Sequence, residues 1–120
     1  MILAHNILSL LQDPYSITED LLSEHHWCGV ILSGGPKSVL DDNSPRIPSW
    51  VLTSNLPVLG ICYGMQALAH QLGGTVEAAD IREFGHAEIE VHPTDNFLIQ
   101  MADKPLDVWM SHGDHVTALP

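Results

Sequence analysis

The chain has 120 residues, 15 acidic against 4 basic side chains, and a formal charge of -11. That size allows one domain at most, and the charge excludes nucleic acid and anionic membrane surfaces as partners, since both need clustered Lys and Arg. Hydrophobic residues at 45% suffice for a core, while no apolar run is long enough to cross a bilayer.

In chain order, Met1 to Gln12 carries Ile2, Leu3, Ile7, Leu8, Leu10 and Leu11, which suits a short helix ending before Asp13-Pro14. This opening lacks a basic stretch and a small-residue cleavage site, so no signal peptide is expected. Ser16-Ile17-Thr18-Glu19 matches a capping box, with Glu19 and Asp20 in the first turn of a helix reaching about His25. Gly29 to Ser33 is a continuous apolar run closed by Gly34-Gly35-Pro36, the pattern of a buried parallel strand and its exit loop. Asp41 to Pro45 reads as a polar loop and Pro48 to Asn55 as a helix.

Pro57 to Ile61 is a second buried strand. It runs through Gly60-Ile61-Cys62-Tyr63-Gly64 directly into a helix whose apolar face is Met65, Leu68, Ala69 and Leu72, ended by Gly73-Gly74. Ala87 to Val91 and Asp107 to Met110 are strand-like. There are no repeats. Alternating apolar strands and helices indicate an α/β fold with a parallel sheet, whose ligands sit at the carboxyl ends of the strands. The Gly34-Gly35 loop and the Cys62 turn both fall there.

Strand, tight Gly-x-Cys-x-Gly turn and helix form an elbow that lifts a nucleophile to the rim of a sheet; the best-known form carries Ser where this chain has Cys62. Glycine on each side relieves a strained backbone, and the positive end of the following helix favours a thiolate. A cysteine that transfers acyl groups also needs oxyanion donors, a base and a substrate pocket. The backbone N–H of Tyr63 and one from the Gly34-Gly35 turn are candidate donors. Gln66, one turn beyond Cys62, is a candidate substrate contact, and the polar segment Ser111-His112-Gly113-Asp114, read as a loop at the end of the Val108-Trp109-Met110 strand, adds another polar loop on the same rim. His70, His86, His112 and His115 are all present, yet none has a spacing that marks it as the partner of Cys62.

The segments Gly29 to Pro36, the Cys62 elbow, Leu72-Gly73-Gly74, Arg82-Glu83-Phe84-Gly85 and Val108 to Asp114, in that order, resemble the class I glutamine amidotransferase (glutaminase) family. Among its branches the Arg82 to Gly85 and Trp109 to Asp114 segments are most similar to the GMP synthases. The resemblance implies a flavodoxin-like α/β parallel sheet flanked by helices. It also implies Cys62 attacking the side-chain amide of glutamine, with Gly34, Gly35 and Tyr63 as the oxyanion hole and Gln66, Ser111 and His112 holding glutamine. No cofactor is implied for this chain. ATP and Mg would serve the synthetase (ATP pyrophosphatase) domain or subunit that partners such glutaminases and uses the ammonia to aminate XMP.

The family's catalytic His and Glu lie in a His-Pro-Glu segment after the Ser-His-Gly-Asp motif, and these 120 residues hold no such segment; His92-Pro93 is followed by Thr94. The expectation is a domain incomplete at both ends, with residues 1–15 divergent and 16–120 a partial glutaminase domain, and little turnover by the chain alone. The competing reading is a non-catalytic remnant or interaction fragment; a metal site around His112 is a weaker third, with no metal expected. Cys28, beside Trp27, reads as a core residue. Two cysteines without CxxC spacing fit free thiols and a reducing, cytoplasmic setting.

Overall fold

Two short apolar runs set the frame. The computed structural model describes residues 7–13, 15–89 and 105–120; for residues 19, 80–84 and 112 only the backbone is described. Its elements are α1 (Glu19–Glu24), β1 (Val30–Leu32), α2 (Ser49–Thr53), β2 (Val58–Gly60), α3 (Tyr63–Gln71), β3 (Thr75–Ile89) and β4 (Leu106–Ala118). β1 and β2 pair in parallel, Val30 opposite Val58 and Leu32 opposite Gly60. Hydrogen bonds from Val30 N to Pro57 O and from Ile61 N to Leu32 O, both 2.9 Å, extend the ladder at each end.

The parallel pair with its helices is a small, incomplete version of the expected α/β sheet. β3 and β4 form a separate antiparallel pair, far longer than the short strands expected around Ala87 to Val91 and Asp107 to Met110; Glu90 and Val91 fall outside the described residues. Between Ala78 opposite Asp114 and Glu83 opposite His112 the register shifts, β3 carrying the extra residues as a bulge. Ser111 to Asp114 lies inside β4, not in a loop at its end. Backbone pairing with Phe84, Glu83 and Ala78 keeps this polar segment extended.

The helices depart from expectation in ways their surroundings explain. Residues 7–13 are not helical, and residues 1–6 lie outside the described set. Leu8 and Leu11 are exposed. Without a face to bury, so short a helix does not offset its nucleation cost. The cap of α1 is Thr18, whose Oγ1 accepts from Leu21 N at 3.3 Å, while Ser16 instead donates to Asp13 O at 2.7 Å. Trp27 Nε1 reaches back to the carbonyls of Leu21 and Leu22 at 3.3 and 3.0 Å, serving acceptors that the end of α1 leaves free. α2 starts after Pro48, whose fixed φ and missing N–H suit that place.

α3 ends in a paired cap. Gly74 N bonds Ala69 O at 2.8 Å and Gly73 N bonds His70 O at 3.3 Å, with Gly73 at φ +97. This is the Schellman arrangement, and a left-handed residue makes it possible. The buried face of α3 is Gly64, Gln66, Ala67 and Ala69. Met65 and Leu72, expected on that face, are exposed, and Leu68 is half-buried. Small residues win because the helix lies so close to the parallel pair that a Cβ on Gly64 would stand 2.6 Å from Leu32 Cβ.

The core consists of Val39, Ile47, Val51, Ala67, Ala69 and Val76, with Val30, Leu32, Trp50, Val58, Tyr63, Leu68 and Val116 packed around it. It occupies one face of the parallel pair. Ile31 and Leu59, which are register partners on the other face, stand exposed. Both strands were expected to be buried on both sides. A pair this narrow covers one face only, so alternation replaces full burial.

Between the core and the surface, Pro45-Arg46-Ile47 is held by three distant side chains. Tyr63 Oη donates to Pro45 O at 2.6 Å. Tyr15 Oη accepts from Arg46 N at 2.8 Å and donates to Arg46 O at 3.2 Å. Gln71 accepts from Ile47 N through Oε1 at 2.6 Å and donates to Ile47 O through Nε2 at 3.0 Å.

Candidate active site

The sequence after β2 cannot continue as a strand, because Cys62 turns the backbone to φ 49, ψ -112 and serves as the N-cap of α3. Only Asn55 shares a positive φ among the described residues other than glycine. For a side chain with a Cβ this conformation costs about 1–3 kcal/mol, and it persists where the surroundings over-determine it. Here they do. Gln66 N bonds Cys62 O and Gly64 N bonds Ile61 O, both at 3.0 Å.

The two flanking glycines are required by contact. A Cβ on Gly60 would lie 2.6 Å from Met65 Cα, and one on Gly64 would meet the Leu32 carbonyl oxygen and its Cβ. The elbow is tight because α3 turns straight back over the strands. Cys62 itself is exposed, as its proposed role requires.

The Gly34-Gly35 turn stands beside it. A Cβ built on Gly34 would come 3.4 Å from Cys62 Cβ and 4.0 Å from Cys62 Sγ, and one on Gly35 would lie 3.7 Å from Tyr63 Cγ. The four residues Gly34, Gly35, Cys62 and Tyr63 are therefore one cluster at the carboxyl ends of β1 and β2. Gly64 N–H is already committed to Ile61 O. The N–H of Tyr63, first in the helix, has no intrahelical acceptor.

Gln66 is buried, 3% exposed, and its Nε2 donates to Asp114 O at 2.8 Å. Its position one turn past Cys62 made a solvated surface residue the plain alternative, and the burial excludes that. Half of its amide is occupied by the backbone of β4, which ties the Ser111 to Asp114 segment to α3. Ser111 is exposed and pairs with Phe84, and the backbone of His112 pairs with Glu83. The hairpin thus sets Arg82 to Gly85 beside Met110 to His112, segments 25 or more positions apart in the chain that spacing alone could not connect.

Cys28, read as a core residue, is exposed as well. It sits in the extended link between α1 and β1, outside both sheets. Among the described residues no three His, Cys, Asp or Glu side chains gather as a metal site, and no hydrogen bond reaches Cys62 Sγ from a histidine. A cavity of about 370 Å³ is lined by Gly34, Gly35 and Tyr63 and by apolar side chains such as Leu22, Trp27 and Trp50. It opens to the surface past Leu11, and neither Cys62 nor Gln66 nor Ser111 lines it, so it is not a pocket facing Cys62. Sequence reasoning missed the buried Asp114 and the side-chain roles of Tyr15, Tyr63 and Gln71. Exposed-looking polar residues bonded to distant backbone leave no periodic signal.

Comparison with known proteins agrees with this geometry. The family model for glutamine amidotransferase class-I matches residues 5–120. A glutamine-hydrolysing GMP synthase of Legionella pneumophila (strain Lens) is 50% identical over 114 residues, covering 89% of this chain and 22% of that protein. Proteins of the same name from Glaesserella parasuis and Yersinia enterocolitica are also 50% identical, over 112 and 114 residues, covering 88% of this chain and 21% and 22% of their own lengths. The chain spans about a fifth of the length of these curated relatives. A match that runs through the elbow, the glycine turn and the hairpin alike leaves one conclusion: the chain belongs to the class I glutamine amidotransferase family.

Proposed function

We propose that this chain is glutaminase sequence of a glutamine-hydrolysing GMP synthase, with Cys62 as the nucleophile. The observation that carries the reading is Cys62 held at φ 49 on the strand-to-helix elbow, with Gly34 against its side chain. The thiolate attacks the side-chain amide carbon of glutamine. A C–S bond forms and the carbonyl π pair moves onto oxygen, where the N–H of Tyr63 and one from Gly34 or Gly35 receive it. Collapse expels the amide nitrogen, which takes a proton and leaves as ammonia. Water then cleaves the glutamyl thioester, returning glutamate and the thiolate.

Gln66 contributes by fixing β4 beside α3, with its Oε1 and Ser111 and His112 as the groups for the amino-acid end of glutamine. Ammonia passes to a synthetase (ATP pyrophosphatase) domain or subunit, where ATP and Mg support the amination of XMP. No helix among the described residues is long and apolar enough to cross a membrane, which fits a cytoplasmic enzyme part.

The reaction needs a general acid for the leaving nitrogen, and no described histidine bonds Cys62. The chain alone is expected to be acylated at Cys62 but to turn over glutamine slower by orders of magnitude than a complete triad, since such residues act as a unit. The test uses a chloromethyl ketone analogue of glutamine and peptide mass spectrometry. An adduct on Cys62 that glutamine suppresses supports the reading. An adduct on Cys28 at equal rate, or no protection by glutamine, sinks it. Ammonia release at a full enzyme's rate would overturn the expectation of low turnover.

A further inference from the structure

The side chain of Tyr63 has no part in the chemistry above, which uses only its backbone. Yet it makes two contacts, one through the ring and one through the hydroxyl. Its ring lies against Gly35, where a Cβ would come 3.7 Å from Cγ and 3.8 Å from Tyr63 Cβ. Its hydroxyl donates to Pro45 O at 2.6 Å. Pro45 is not a loose acceptor: the next two residues are clamped by Tyr15 at Arg46 and by Gln71 at Ile47, and Ile47 is buried in the core. Gln71 sits at the last turn of α3 and Tyr63 at its first, so the helix holds the 45–47 strap at both ends.

We infer that Tyr63 is a positioning residue: its side chain, braced between Gly35 and the strap, sets the spacing and tilt of the two backbone donors that face Cys62. The inference rests on Cys62 being the glutaminase nucleophile. The geometry favours it because both donors depend on one side chain. Gly35 belongs to the turn that carries one N–H, and the other N–H is that of Tyr63. The bonds from Gln66 N to Cys62 O and from Gly64 N to Ile61 O fix the turn at Cys62 itself, and the Pro45 hydrogen bond is the side-chain tie from the first residue of α3 to the strap. At 2.6 Å this O–H to carbonyl hydrogen bond is short and directional, although it lies at the surface.

The test compares two alkylating agents on the full 120-residue chain, in wild type and in Tyr63→Phe. In both reactions Cys62 sulfur forms a C–S bond and halide leaves. Iodoacetamide reports the exposure and nucleophilicity of the thiol. The chloromethyl ketone analogue of glutamine also needs its carbonyl oxygen seated on the donors. Outright removal of an oxyanion donor costs about 10²–10³ in rate, so a donor that stays but tilts should cost on the order of tenfold. We expect Tyr63→Phe to lower the ketone rate at Cys62 about that much, with the iodoacetamide rate within about twofold of wild type.

Equal falls in both rates, or no fall in either, overturn the inference. If wild type shows no preference of Cys62 for the ketone, the glutaminase reading itself fails, a result separable from the first because it needs no variant. Circular dichroism checks that Tyr63→Phe folds. Should it not, Gln71→Met, which loosens the same strap without touching Tyr63, must show a selective fall in the ketone rate, and an unchanged ratio counts against the inference.

Discussion

The elbow and the β3–β4 hairpin both carry family motifs, yet they are held in opposite ways. Around Cys62 the backbone is strained and hemmed in, and small residues let α3 press on the parallel pair. In the hairpin the backbone ladder does the holding, and Trp109, 77% exposed, shows how little its outer side chains are packed. One region is specified by what cannot fit, the other by register. A substitution that adds a single methyl should therefore be severe in the first region and mild in the second.

The largest effect belongs to Gly64→Ala. The new Cβ meets the carbonyl oxygen, carbonyl carbon and Cβ of Leu32 at once, and two of these are backbone atoms that cannot move aside. Overpacking typically costs 1–3 kcal/mol and occasionally more, and about 3 kcal/mol or above is expected here. Urea unfolding of the two chains checks it, and a loss under 1 kcal/mol would show that α3 can lift off the strands. Next comes Gln66→Leu, of similar volume. It leaves Asp114 O without its donor in a buried place and should cost about 1–3 kcal/mol. Hydrogen exchange should show faster opening of β4 near Asp114, because this bond joins the hairpin to α3 beside the core contacts of Val76 and Val116.

How much of this was legible in the sequence follows the same division. The strand, turn and helix around Cys62 could be read because each step has a local cause: an apolar run, glycines that relieve strain, and a paired glycine cap. The closeness of the Gly34-Gly35 turn to Cys62 and Tyr63 followed, since two strand exits in a parallel pair must lie side by side. The face of α3 followed only at Ala69. Periodicity also pointed to Met65, Leu68 and Leu72, but the distance of approach selects Gly64 and Ala67, and that distance is set by Leu32, 32 positions before Gly64. The hairpin register was likewise hidden, because the polar Ser111 to Asp114 stretch has loop composition and is made strand only by its partner. The 45–47 strap rests on side chains of Tyr15, Tyr63 and Gln71 at separations of 31, 18 and 24 residues, with no local trace.

Smaller effects sharpen the contrast from the hairpin's side. Gly85 has φ +127, with nothing within 4 Å of an added Cβ. Gly85→Ala therefore meets no clash, only the cost of a backbone region that L residues avoid, about 1–3 kcal/mol if the conformation is kept. A bulged, exposed strand can relax toward ordinary β geometry, so the lower end of that range is expected. A loss as large as that of Gly64→Ala in the same denaturation experiment would erase the distinction between the two regions.

The smallest effect is expected at the outer face of the hairpin, where His86 Nε2 lies 2.9 Å from Asp107 Oδ1 with side chains 65% and 74% exposed. Glu88 is the register partner of Asp107, so two carboxylates face each other with His86 two residues along. Exposed ion pairs contribute about 0–1 kcal/mol and are screened by salt. His86→Ala should shift stability by less than about 1 kcal/mol, and the difference from wild type should shrink as sodium chloride rises from low to molar concentration. A larger loss that salt leaves unchanged would mean that side chains, and not the ladder, hold the hairpin. In that case Arg82 to Gly85 and Met110 to His112 would be kept together by the same kind of packing that fixes the elbow.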